Sequence, residues 1–118
     1  MNKGIVLSLL LALSNFAFAE HIWVETVPTQ LRLLSPGLVL IGTYSNIDKV
    51  ECQTNPSAVF LPNTDPQFDL KVSMALAAQA QGKAIQFLIN NIGDPSTCKT
   101  ISAHGSVATV FDYYWYIK

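Results

Sequence analysis

Past residue 19, apolar and polar residues alternate along an extended chain. Ile22, Val24 and Thr26 fall on one side and His21, Trp23 and Glu25 on the other, which predicts a first strand over His21 to Leu34, bent at Pro28. Ser35-Pro36-Gly37 predicts a turn, because Pro presets its own backbone angle and Gly tolerates positive φ. A second strand follows over Leu38 to Tyr44. Its unbroken run Leu38-Val39-Leu40-Ile41 predicts burial on both faces. Ser45 to Lys49 breaks the run. Val50 to Gln53 reads as a continuation or a short rung carrying Cys52, and Ser57 to Leu61 reads as a third strand before Pro62-Asn63.

The period changes at Asp65, whose carboxylate is placed to cap a helix with Pro66 at its first position, where a missing N–H costs nothing. Phe68, Val72, Leu76 and Ala80 recur every fourth residue, with Ala75 beside them, and predict a core-facing stripe. Four alanines between positions 75 and 80 keep the last turns slim, and Gly82 is placed to end the helix. Ala84 to Ile89 predicts a fourth strand, with Ile85, Phe87 and Ile89 alternating against Gln86 and Leu88. Asn90 to Ser106 reads as a long loop turned at Gly93-Asp94-Pro95. Val107 to Lys118 predicts a final strand: Phe111, Tyr113, Trp115 and Ile117 on one face, Asp112, Tyr114, Tyr116 and Lys118 on the other. A slip of one residue would exchange the two sets.

Five strands with one helix between the third and fourth predict a β-rich α+β domain. Its expected form is a five-stranded OB-like Greek-key barrel, although other α+β meanders share that order. The N-terminus reads as an export leader over residues 1–19. Lys3 is basic, Gly4 to Leu13 is apolar and too short to cross a bilayer, and Ala17-Phe18-Ala19 is a cleavage pattern. One domain is then expected over residues 20–118, in the periplasm or outside the cell, with no membrane attachment once the leader is gone. Export to an oxidising compartment makes a disulfide between Cys52 and Cys98, the only two cysteines, the expected state. At 50% hydrophobic and 13% charged the chain belongs to folded proteins, and its net charge of −1 argues against a nucleic-acid partner.

Catalytic chemistry has little footing. Ser102 and His104 are two apart without a strained nucleophile turn around either, and His104 reads as a solvated loop residue. Asp94 fits its turn and Asp112 a polar strand face. No spacing of Cys, His, Asp and Glu reads as a metal site, and no glycine-rich loop would cradle a phosphate, so neither metal nor cofactor is expected. Binding has more footing. Trp23, Tyr114 and Tyr116 alternate onto faces shared with His21, Glu25, Asp112 and Lys118, and such rings offer flat apolar area with a polar tip to sugars or proteins. Cover by the helix or a partner subunit would serve the same faces.

The stretch from Phe68 to Asn90, through Met74-Ala75-Leu76-Ala77-Ala78, Gly82-Lys83 and Ala84-Ile85-Gln86-Phe87, resembles the central part of the B subunits of subtilase-cytotoxin and pertussis-like toxins. It is also similar to small exported proteins of Gram-negative bacteria with the same helix-Gly-strand-Cys layout. The resemblance covers about a quarter of the chain beyond the leader and implies an OB-fold, assembly into a ring and binding of host-surface glycans. No sugar-contacting residue of those subunits carries over to an identifiable position. Three classes stand side by side: a glycan-binding or oligomeric subunit, a periplasmic partner-binding or inhibitor protein, and a small secreted hydrolase.

Overall fold

A computed structural model describes residues 20–111 and 114–118. The leader assigned to residues 1–19, and Asp112 and Tyr113 in the final segment, lie outside the described residues. Among the described residues, seven strands and one helix follow in the order β1 (His21–Leu34), β2 (Gly37–Tyr44), β3 (Ala58–Pro62), α1 (Phe68–Gln81), β4 (Ile85–Asn90), β5 (Cys98–Ile101), β6 (Gly105–Thr109) and β7 (Trp115–Ile117). The strands form a single mixed sheet ordered β5-β6-β3-β2-β1-β4-β7, in which only β3 and β6 run parallel. The sheet is open, with β5 and β7 at its ends. Seven strands in an open sheet replace the expected five in a barrel.

The reason lies in the C-terminal third. Val107 to Lys118 is not one strand: its first residues pair with β3 and β5 as part of β6, while Trp115–Ile117 pair with β4 as β7, across the sheet. Alternation of aromatic and polar residues continues through the break, so the period alone conceals the crossing. Phe111, expected inside, is 38% exposed. The expected loop over Asn90 to Ser106 also holds structure. Asp94 caps a 3-10 turn at Pro95–Thr97 by accepting from the Ser96 N–H at 2.9 Å, which lowers its carboxyl below the usual value, and β5 follows. Val50 to Gln53 forms turns rather than a rung. Cys52 and Cys98 are joined, with Cα atoms 5.9 Å apart, so the disulfide ties these turns to the start of β5.

β1 organises the sheet. Its first half pairs with β4 and its second with β2, and Thr26 has a partner on each side, Ile85 and Tyr44. The register shifts between Pro28 and Gln30, where proline cannot donate to the ladder. Gln79 near the end of α1 donates to the Thr29 carbonyl at that irregularity, at 3.0 Å. β2 is buried on both faces as expected: Leu38 and Leu40 join the main core under α1, and Val39 joins a smaller cluster with Ala58, Phe60, Ile101 and Val107.

The helix begins three residues later than Asp65. That side chain accepts from the Gln67 N–H at 2.8 Å and organises the turn leading into α1. Phe68 and Val72 face the core as expected, but Leu76 is 53% exposed and Ala80 is exposed, while Ala75 and Ala78 are fully buried. A strict spacing of four overshoots the helical turn by about 40° at each step, so the contact line passes to the residues one or two positions away. Gly82 ends the helix in the left-handed conformation at φ 63°, with Lys83 N–H reaching the Ala78 carbonyl at 2.9 Å. Among the described residues no helix is long and apolar enough to cross a membrane.

Candidate functional site: the aromatic sheet face

Directly opposed residues on neighbouring antiparallel strands share a face. Trp23 on β1 stands opposite Leu88 on β4, Glu25 opposite Gln86, and Gln86 opposite Tyr116 on β7. Their alternates Val24, Ile85 and Phe87 are fully buried under α1, so Trp23, Glu25, Gln86, Leu88 and Tyr116 occupy the face turned away from the helix. There Trp23 and Tyr116 meet edge to face, ring centroids 6.0 Å apart at 61°. They remain 39% and 43% exposed. The Tyr116 hydroxyl donates to Gln86 Oε1. Lys118 Nζ lies 3.0 Å from Glu25 Oε1, a contact close enough for an ion pair though not aligned as a hydrogen bond. The carboxylate's polar contact and its charge raise the Lys118 ammonium above its ordinary value. An aromatic pair is thus bordered by an amide, an acid and a base.

Tyr114 does not join the pair. It is 73% exposed and stands at the mouth of a cleft of about 490 Å³ between the first turns of α1 and the β4–β7 edge. Leu70, Lys71, Met74 and Trp115 line that cleft, which reaches round to the β4 edge at Leu88 and Asn90. Trp115, expected inside, stacks on buried Phe87 at 5.3 Å, and Phe87 in turn meets Tyr44 edge to face at 6.1 Å. The Trp115 indole N–H is buried and has no partner among the described residues.

Sequence reasoning missed the groups flanking these rings. Gln86 and Leu88 were visible as the polar-phase residues of β4, but their place between Trp23 and Tyr116 depends on pairing of strands distant in the chain. Lys71 gave no signal. Its ammonium is buried against Asp65 Oδ2 at 2.7 Å and lies 5.7 Å from the centre of the Trp115 ring. His104 corrects another expectation: it is 9% exposed rather than solvated, with its ring against the Arg32 guanidinium at 3.3 Å. Ser102 is exposed. No family model, curated protein or solved structure matches this chain.

Proposed function

We propose that this chain is an exported, non-catalytic binding protein whose outer sheet face takes up a glycan. The observation that carries the reading is the half-exposed Trp23–Tyr116 pair on the face free of the helix, with Gln86 and the Glu25–Lys118 pair beside it. Sugars present patches of C–H groups ringed by hydroxyls, which match aromatic faces bordered by donors and acceptors. The leader pattern over residues 1–19 and the disulfide support export to the periplasm or beyond. In fold, the β1-β2-β3 meander, the helix before β4 and the parallel β3–β6 pair support an OB-like unit left open, with β5 and β7 as additions.

The sheet's free ends favour a second reading. β5 and β7 are edge strands among the described residues, and an edge accepts a strand from another protein or a second copy. A glycan array probed with the oxidised protein, alongside size determination in solution, separates the two. Glycan binding predicts selective retention that is lost when Trp23 and Tyr116 are both replaced by Ala. No retention on any glycan, or retention untouched by that double change, overturns it, and a dimer or ring with an inert aromatic face supports strand addition.

A further inference from the structure

On the same outer side of the sheet, but past the irregularity in β1, lie Lys99 over buried Phe60 and a second basic pair, Arg32 with His104. Arg32 stands opposite Val39, and Val39 opposite Phe60, so all three share the face away from α1. Lys99 on β5 stands opposite Val107 and carries its Nζ to 5.2 Å from the centre of the Phe60 ring. The β5–β6 turn brings in the third group: His104 Nε2 lies 3.3 Å from Arg32 Nη1. That turn is fixed in place. Asn55 Nδ2 donates to the His104 carbonyl at 3.0 Å, His104 N–H donates to Ile101 at 2.9 Å, and Ala103 adopts a φ of 70°.

Among the described residues, the strands that build this corner bring no carboxylate to it. β2, β3, β5 and β6 contain no acidic residue, and the one on β1, Glu25, lies on the far side of the irregularity beside Lys118. Glu51, in the segment leading to Asn55, extends toward Gly93. Among the described residues the ion pairs engage Lys71 and Lys118, so Arg32 has His104 as its polar side-chain partner there and no acid. A guanidinium carries five donors in a planar fork suited to oxyanions, and a histidine holding one of them spends its acceptor nitrogen to do so.

We propose that Arg32 and His104, with Lys99 alongside, bind a single oxyanion group, a carboxylate or a phosphate. A neutral imidazole accepts from the guanidinium. A protonated one cannot, and instead becomes a second donor aimed at the same space, so an anion between them is held by both groups. Arg32 and Lys99 add to the positive field in either state. This site is separate from the aromatic face and stands whether or not that face takes a sugar.

The test is NMR of the two histidine ring C–H signals while inorganic phosphate, glucuronate or glucose is added at constant ionic strength. His21, exposed at the other end of β1, is the internal control. The expected result is a saturable shift at His104 with phosphate, glucuronate or both, and none with glucose. Phosphate alone identifies a phosphoryl ligand, and glucuronate alone an acidic sugar or other carboxylate. Arg32→Gln should weaken binding about tenfold, the scale of a lost charged hydrogen bond, and Lys99→Gln less. Arg32 and Lys99 are both exposed, so folding should survive, as near-UV circular dichroism will show. No saturable shift with either anion, equal shifts at His21, or unchanged affinity in folded Arg32→Gln overturns the proposal.

Discussion

Replacing Lys71 with Met keeps most of the side chain's stem but removes the ammonium that lies 2.7 Å from Asp65 Oδ2, where both side chains are at most 3% exposed. The Asp65 carboxylate still accepts from Gln67 N–H, yet it loses its cation in a place water does not reach. Removing one member of such a pair costs about 3–5 kcal/mol. A domain of this size has about 5–15 kcal/mol in all, so the melting temperature should fall by on the order of 15–30 °C. Urea unfolding followed by tryptophan fluorescence is the assay, and Trp115, 5.7 Å from the ammonium, is a local reporter. The second arm is the double variant Lys71→Met with Asp65→Asn, which buries no charge and should recover much of the loss. A single variant within about 1 kcal/mol of the parent would refute a buried, mutually dependent pair. A double variant as unstable as the single one would assign the cost to packing instead.

Three further outcomes are expected. Reducing the Cys52–Cys98 bridge, which spans 46 positions, should lower stability by about 4 kcal/mol on the chain-entropy model, measurable as a shift of the urea midpoint with and without reductant. Trp115→Ala should cost about 3 kcal/mol because it strips the ring stacked on Phe87, whereas Trp23→Ala and Tyr116→Ala should each cost under about 1 kcal/mol; the reverse order in thermal melts would show the faces to be exchanged. Burial raises the Tyr44 phenol well above its ordinary 10.0, and its hydroxyl donates to the Leu40 carbonyl at 2.6 Å. Folding therefore favours the protonated phenol: stability is untouched well below the unfolded value and falls as pH climbs past it, so ultraviolet titration should show one tyrosine ionising only with unfolding.

What could be read from the chain was local. The bend in β1 at Pro28, the alternation of β4 and the glycine stop at Gly82 each depend on a few neighbouring residues, and each lies where the pattern put it. The C-terminal third resisted the same reading because its alternation runs on through a crossing between opposite ends of the sheet. β5 escaped notice for a related reason. Four residues, two of them exposed, carry almost no period, and pairing with β6 beside a disulfide is what makes them a strand. For the aromatic face, alternation was enough to select Trp23 and Tyr116, but their meeting requires β4 to lie between β1 and β7. Tyr114 shares the phase of Tyr116 and yet stands at the cleft beside α1. Lys71 was illegible because a lysine between Leu70 and Val72 looks solvated until Asp65, six residues earlier, is folded against it.

The most direct test of the aromatic face as the ligand site uses the protein's two tryptophans, one on each side of the sheet. Trp23 is 39% exposed, while the indole N–H of Trp115 is buried under α1, so the two give separate indole N–H signals in a nitrogen-labelled sample. These signals would be followed while a soluble form of an oligosaccharide retained on the array is titrated in. The expected result is a saturable displacement of the Trp23 signal, with the Trp115 signal unmoved. A bound oligosaccharide that moves Trp115 and leaves Trp23 in place would put the ligand in the cleft beside α1 and contradict the assignment.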